Sequence, residues 1–493
     1  MSLMPPSRER LAASEQALTS LPGYSNDTPT DKEFSVFDPS TEQRIATLRN
    51  MTAQEALVEV ETAESEGRTW AKTTPRHRSD TLQNVYTVLM ENQSRLAYVI
   101  SREMGKPLGE ALGEVQYAAD YVRWYAEELL RPAGGYRDNP AGASTILTCR
   151  APVGLTLLIA PWNFPMAMIT RKIAPAIAAG CASLIKPAAL TPLTTLLTVD
   201  LMEEAGVPRE LMRVVTTIEP AAFSEAVLSD PRIRKLSFTG STGVGSTLMS
   251  LAAKNIVKSS MELGGNAPFI VFDDADLERA VEGAMLAKLR NGGQSCVAAN
   301  RFYVQDGIAD AFIEAFTEKM SKVVTGNAIT EGVGLGPVIN QAAVDKLQHL
   351  VDDATAQGAE LKTGGKKPAQ SGYFFSPTVL DRVPAEANIA NAEIFGPVAA
   401  ISRFTTQEEV LWKANNTPFG LAGYVFTENL DRALNVADEL ETGLVGINNG
   451  IPSNPAAPFG GMKQSGLGRE GSHEGLEEYQ EVRYYNIARR HTD

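Results

Sequence analysis

The spacing of apolar positions changes along the chain, and the changes divide it. Residues 52–66 and 76–104 carry apolar side chains at helical spacing, which predicts two amphipathic helices. Gly105-Lys106-Pro107 ends the second. A long helix is expected over residues 108–131, stopped by Pro132-Ala133-Gly134-Gly135. Residues 136–150 read as a projecting hairpin with Asn139-Pro140-Ala141-Gly142 as its turn. Residues 1–33 are polar, hold Pro5-Pro6, and predict a loosely held arm.

From residue 155 the pattern becomes an alternation. Residues 155–160 form a short apolar run without charge, as a buried parallel strand requires. Further strands are expected at 182–186, 212–216 and 235–238, with helices at 164–179, 193–205 and 221–228 between them. Such an alternation predicts an α/β fold with a doubly wound parallel sheet, whose ligands sit beyond the carboxyl ends of the strands. Those ends carry Trp162-Asn163, Lys186 and Gly240-Ser241. The stretch Gly240-Ser241-Thr242-Gly243-Val244-Gly245 opens a helix and can turn free N–H groups toward a phosphate. Its spacing is not G-x-G-x-x-G, and an ordinary strand-to-helix turn explains it equally well. A second α/β region is expected from Lys258, with strands at 269–272, 302–305, 398–404, 421–426 and 444–448. Its helices are expected at 277–289, 309–323 and 344–357. Residues 450–468 form a long Gly/Pro/Asn segment, of the kind that usually carries function. An extended stretch at 482–486 has little to pair with locally.

Composition narrows the function classes. The 493 residues allow about three domains or lobes. A net charge of −14, without a Lys/Arg block, weighs against nucleic acid or an anionic membrane as partner. No apolar run is long enough to predict a transmembrane helix. The three cysteines, Cys149, Cys181 and Cys296, match no disulfide framework and suggest free thiols in a reducing cytoplasm. His77, His349, His473 and His491 are scattered without metal-ligand spacing, so no protein-bound metal is expected.

Cys296 stands just after Asn291-Gly292-Gly293, where the helix over 277–289 ends. A cysteine at such a corner can point its own N–H at a substrate, and the glycines allow close approach. Alone, a cysteine is more often a small buried apolar residue.

Seven motifs occur in order: Pro161-Trp162-Asn163-Phe164-Pro165, Lys186-Pro187-Ala188, Phe238-Thr239-Gly240-Ser241-Thr242, Glu262-Leu263-Gly264-Gly265, Gly293-Gln294-Ser295-Cys296, Glu393-Ile394-Phe395-Gly396-Pro397 and Pro458-Phe459-Gly460-Gly461. With them the chain resembles the aldehyde dehydrogenase superfamily over residues 37–485. Within it the chain is most similar to succinate-semialdehyde dehydrogenases, on Met168-Ile169-Thr170-Arg171-Lys172, on Arg290 and on Ser453.

The resemblance implies a dinucleotide-binding domain over 1–130 and 151–257 and a catalytic domain over 258–464. Residues 131–150 and 465–493 would serve oligomerisation, as a homodimer or homotetramer. It implies Cys296 as nucleophile, Glu262 as general base and the Asn163 amide as oxyanion donor beside the Cys296 N–H. Cofactor contacts fall to Trp162, Lys186, Ala189, Gly240, Ser241, Glu393 and Phe395, and the substrate carboxylate to Arg171, Arg290 and Ser453. Lys172 and Glu470 match a proton relay. The expected reaction oxidises succinic semialdehyde to succinate with NADP⁺ or NAD⁺. NADP⁺ is expected to be preferred, because Ala189 replaces a glutamate that would bar its 2′-phosphate. Glutarate semialdehyde or a broad range of aliphatic aldehydes is the alternative. A catalytically dead relative would lack Cys296, Glu262 or Asn163, and all three are present.

Overall fold

The structure is a computed structural model that describes residues 29–131 and 134–489. Most of the expected N-terminal arm, Pro132-Ala133 and His491 lie outside the described residues. Two parallel-rich sheets dominate. The first has six strands in the order Gly466–Leu467, Lys258–Glu262, Ile233–Thr239, Leu155–Ile159, Ser183–Lys186, Met212–Val214. All its pairs are parallel except that of Gly466–Leu467 with Lys258–Glu262. The strand order reverses between Leu155–Ile159 and Ile233–Thr239, which opens a crevice at their carboxyl ends.

One strand sits elsewhere than its sequence suggests. Lys258–Glu262, expected to open the second region, is instead the fifth parallel strand of the first sheet, with Thr239 opposite Glu262. Lys258-Ser259-Ser260 is too polar to signal a buried strand. The pairing leaves Glu262 at the carboxyl end of the sheet, beside the crevice.

The second sheet has seven strands in the order Glu360–Thr363, Thr378–Asp381, Val398–Phe404, Ala299–Gln305, Ala267–Val271, Ala422–Phe426, Leu444–Ile447. Glu360–Thr363 alone runs antiparallel. This mostly exposed edge strand has no apolar period to announce it. The short helices Gln407–Asn415, Leu430–Glu439 and Ser472–Glu477 also go beyond the sequence reading. The central strands bury a cluster of rings, with Phe269 lying 4.8 Å from Phe426 and 5.0 Å from Phe302 between centroids.

The expected helix over 76–104 is two helices, Pro75–Glu91 and Gln93–Met104. Asn92 separates them, its side-chain amide donating to the Val88 carbonyl at 2.9 Å. Such a local bond competes with the helical ladder, while the apolar spacing runs across the break because both helices bury one face. Leu108–Glu128 packs against Ala167–Ala179, a helix buried on every side.

Gly135–Asp138 and Ser144–Pro152 form the expected hairpin. Its turn is closed by Asn139, whose side chain accepts the Ala141 N–H at 2.9 Å. The C-terminal strand Gln480–Ala488 does find a partner in its own chain, pairing along the whole of Ser144–Pro152. Val482, Tyr484, Tyr485 and Ile487 stay exposed on it. Among the described residues no helix is long and apolar enough to cross a membrane.

Candidate active site

A cavity of about 400 Å³ opens where the first sheet's carboxyl ends meet the loops of the second. It brings together Trp162, Asn163, Arg171, Gly240, Ser241, Glu262, Arg290, Cys296, Glu393, Phe395 and Ser453. Lys186, Ala189, Lys172 and Glu470 do not line it.

Cys296 is presented by a sharp turn. The helix Leu277–Leu289 ends, and Asn291, Gly292 and Gly293 take φ values of 56°, 60° and 73°. Three left-handed residues in succession suit an Asn-Gly-Gly sequence and few others. A Cβ at Gly293 would fall 2.2 Å from the Gly396 carbonyl, so the turn also packs against the Glu393-Phe395 segment. Burial pushes the Cys296 thiol up to about 12; the Arg171 charge opposes that shift, and Glu393 and Glu262 add to it. The two other cysteines stand apart. Cys181 is buried and donates to the Tyr479 carbonyl at 3.4 Å, and Cys149 lies in the strand Ser144–Pro152.

Asn163 is buried at the end of the strand Leu155–Ile159 and its loop. One N–H of its amide donates to the Gln294 carbonyl at 2.9 Å, which aims the group at the cysteine turn and leaves its second N–H uncommitted. An amide and the N–H of a turn cysteine can together hold an oxyanion.

Glu262 and Glu470 are neighbouring buried carboxyls with opposite settings. Neither oxygen of Glu262 has a hydrogen-bond partner. Burial first, then the charge of Glu470, holds its carboxyl well above the usual range. Glu470 accepts from Lys172 Nζ at 2.5 Å and from Ser237 Oγ at 3.1 Å, and its other oxygen lies 2.5 Å from Arg171 Nε. Although burial opposes it, this cationic surrounding keeps Glu470 below the usual range. Lys172 and Glu470 are thus bonded to one another and act on Glu262 through their charges, with no hydrogen bond from Glu262 to either among the described residues.

Arg171 and Arg290 both line the cavity. Arg171 is fully buried and committed to Glu470, with its guanidinium 4.2 Å from the Phe459 ring centroid. Its Nη1 has no partner. Arg290 is half-buried between the rings of Tyr117 and Phe164, at 5.5 and 5.2 Å. Its side chain makes no hydrogen bond or ion pair among the described residues, although its charge acts on the Glu110 carboxyl. Ser453, from the long Gly/Pro/Asn segment, completes that end.

The opposite side is suited to a dinucleotide. Glu393 accepts the Gly265 N–H at 3.1 Å, and Phe395, at φ 57°, meets Trp162 edge-on at 5.4 Å. Ser241 is the N-cap of the helix Thr242–Ala253, and its side chain makes no capping bond. A Cβ at Gly240 would fall 2.4 Å from the Phe238 ring, so only glycine fits there without displacing the ring. Lys186 ends its strand buried, with the Pro187 carbonyl at 3.3 Å the one hydrogen-bond partner of its ammonium among the described residues; burial lowers its pKa to about 8. A buried ammonium without an anion fits a ribose or phosphate ligand. Ala189 lies partly buried just beyond, with no carboxylate of its own.

Several residues behind the cavity escaped the sequence reading. Lys106, Glu110 and Glu114 bond to Asn163, to Asn291 and to the N–H groups of Met166 and Ala167. Their signal was present as a break, Gly105-Lys106-Pro107, followed by acidic residues at helical spacing. Only the fold shows what those charges face.

The Aldehyde dehydrogenase family model matches residues 26–485. A succinate-semialdehyde dehydrogenase of Paenarthrobacter nicotinovorans is 48% identical over 90% of this chain and 99% of its own. A glutarate-semialdehyde dehydrogenase of Pseudomonas aeruginosa is 45% identical over 93% of this chain and 95% of its own. The crystal structure of an E. coli NADP-dependent enzyme is 45% identical and superposes with a TM-score of 0.91, over 93% of this chain and 95% of that one.

Proposed function

The chain belongs to the aldehyde dehydrogenase family and is an NAD(P)-dependent oxidoreductase; from that premise we propose that its substrate is succinic semialdehyde. The observation that carries this reading is Arg290. A cation held between two rings in the cavity, with no direct ion pair among the described residues and a merely through-space influence on the Glu110 carboxyl, is placed to receive an anionic tail. Arg171 Nη1 and Ser453 assist it from the same cavity.

The residues divide the chemistry. Cys296 gives its thiol proton to Glu262 in its base form, which releases it before the water step; Sγ then attacks the aldehyde carbon, and the oxyanion of the resulting thiohemiacetal meets the free N–H of Asn163 Nδ2 and the Cys296 N–H. The nicotinamide cofactor, when bound, accepts the hydride. Trp162, Gly240, Ser241, Glu393, Phe395 and Lys186 would hold it. A thioester on Cys296 remains, and Glu262 takes a proton from the water that hydrolyses it. That proton then leaves to solvent, while Glu470 and Lys172 act on Glu262 through their charges. Glu262 serves as base only in its ionised form, and burial and the charge of Glu470 make that form scarcer than in an ordinary carboxylate.

The test is turnover by the parent and by Cys296→Ala on succinic semialdehyde, glutaric semialdehyde and butanal. Cys296→Ala should be inactive while still binding cofactor. Equal use of butanal and the anionic aldehydes would refute the substrate reading. Glutaric semialdehyde is the nearest competitor, since one methylene is worth only about 1–3 kcal/mol of discrimination.

NADP⁺ is the preferred cofactor in this reading. Ala189 leaves the adenosine ribose without a carboxylate to repel a 2′-phosphate, and Lys186 stands close in sequence. Ala189→Glu should shift the kcat/KM ratio toward NAD⁺. An unmoved ratio sets cofactor choice elsewhere. The chain assembles as a homodimer or homotetramer through the hairpin and Gln480–Ala488, whose exposed Val482, Tyr484 and Ile487 support an apolar contact. A monomer by light scattering at micromolar concentration would refute this.

A further inference from the structure

Three charged side chains at the start of the helix Leu108–Glu128 stand directly behind the cavity, and none of them lines it. Lys106 and Glu114 form an ion pair in which each side chain is 1% exposed. Lys106 Nζ also donates to the Asn163 carbonyl at 3.2 Å and lies 3.8 Å from the Phe164 ring centroid. The second oxygen of Glu114 accepts the N–H groups of Met166 and Ala167, at 3.0 and 3.2 Å. One helical turn earlier, Glu110 accepts the backbone N–H of Asn291 at 2.6 Å. Buried charges are tolerated only when paired and hydrogen-bonded. Here the bonds reach both chain segments that meet at the nucleophile.

Those two segments are also bonded to each other. The Asn291 amide donates to the carbonyls of Asn163 and Gln294, each at 2.9 Å, and the Asn163 amide donates to Gln294. Gln294 in turn accepts the Ile339 N–H at 2.9 Å. Asn291 is the non-glycine member of the left-handed turn, a conformation that persists only where its surroundings hold it. The Glu110 carboxylate is the group that holds its N–H.

We infer that Glu110 is a positioning residue for the oxyanion site: by accepting the Asn291 N–H it clamps the turn 291–293 against Asn163 and fixes the spacing between the Asn163 amide and the Cys296 N–H. Lys106 braces the Asn163 side of the same clamp. The inference rests on the proposed function, in which those two groups receive the oxyanion. The function of Glu110 here is reach. An amide oxygen at the same place can accept the same N–H, whereas a carboxylate one methylene shorter cannot reach it from the same backbone position.

The experiment compares Glu110→Gln, Glu110→Asp and Glu110→Ala with the parent. The single-turnover rate of hydride transfer is followed as reduced-cofactor absorbance at saturating cofactor and succinic semialdehyde. The aldehyde KM and the cofactor Kd are measured alongside. Glu110→Asp and Glu110→Ala should lose about tenfold or more in the single-turnover rate, the scale of a small misplacement in an active site. Their KM and cofactor Kd should stay within about twofold of the parent, and Glu110→Gln should keep its rate within about threefold. If the alanine variant fails to fold, the glutamine and aspartate variants decide. A parent-like Glu110→Asp overturns the inference, as does a Glu110→Gln that is as slow as Glu110→Asp, since charge and not reach would then matter. Losses spread equally over rate and cofactor Kd also overturn it, because they mark general loosening. A parent that transfers no hydride overturns the proposed function together with this inference. An active parent beside indistinguishable variants overturns the inference alone.

Discussion

Arg171 and Arg290 face one cavity from two different electrostatic settings. The wall that holds Arg171 is internally paired: Glu470 answers both Arg171 and Lys172, and Ser237 donates to the same oxygen as Lys172. The wall that holds Arg290 supplies aromatic faces and, among the described residues, no ion-pair partner. A paired buried network stabilises and orients its own members. A cation left among rings remains available to a ligand. Two arginines that look alike in sequence therefore stand in different settings, and Glu262 has no hydrogen-bond partner of its own among the described residues beside the paired network.

The contrast can be broken most sharply at Glu262. Glu262→Gln should permit the first burst of reduced cofactor and then stall, with steady turnover lower by about 10²–10⁴-fold. An unchanged steady state removes Glu262 from the reaction. In the parent, the carboxyl is held above its usual range, so its base form is scarce at low pH and grows as pH rises. Where hydrolysis limits turnover, kcat should therefore climb with pH above the usual carboxylate range, and Glu262→Gln should abolish that slope.

Next in size is Glu470→Gln. It leaves Arg171 and Lys172 buried beside a neutral amide, and removing one member of such a network costs about 3–5 kcal/mol. Denaturant unfolding should show the loss, and a change under about 1 kcal/mol would mean that the wall is not paired as described.

Arg290→Met sharpens the comparison between the two arginines. It should weaken succinic semialdehyde by about 1.5–3 kcal/mol in kcat/KM and spare butanal. Arg171→Met should lower both substrates, because it also strands Glu470. Equal losses for both aldehydes in Arg290→Met would make Arg290 structural.

The smallest effect is expected at Lys186. Burial lowers its pKa to about 8, so it carries charge below that pH and loses it above. NADP⁺ affinity should be flat below about pH 7 and fall above pH 8, by at most about tenfold per pH unit. A Lys186→Met variant should show no such slope.

Much of the molecule could be read before the fold was known, and the reasons are local. Strands such as Leu155–Ile159 are short apolar runs because parallel strands are covered on both faces. The break at Asn291-Gly292-Gly293 demanded left-handed backbone, which those residues adopt at low cost, so the cysteine turn could be located by composition alone. The strand Lys258–Glu262 was harder, because its burial comes from neighbours in the sheet and its own residues are polar. The split at Asn92 was hidden because two helices in sequence kept one buried face.

By itself the sequence determined the α/β character and the order of the motifs, through apolar spacing and backbone preference at short range, and its resemblance to the family singled out Cys296, Glu262 and Asn163 as candidates. The tertiary structure decided which charge each of these groups meets. Arg171 is joined to Glu470 across nearly three hundred residues, and Glu110 to Asn291 from a helix far upstream. Pairing of that kind depends on distance and on shielding from water, and neither is written in the order of the residues.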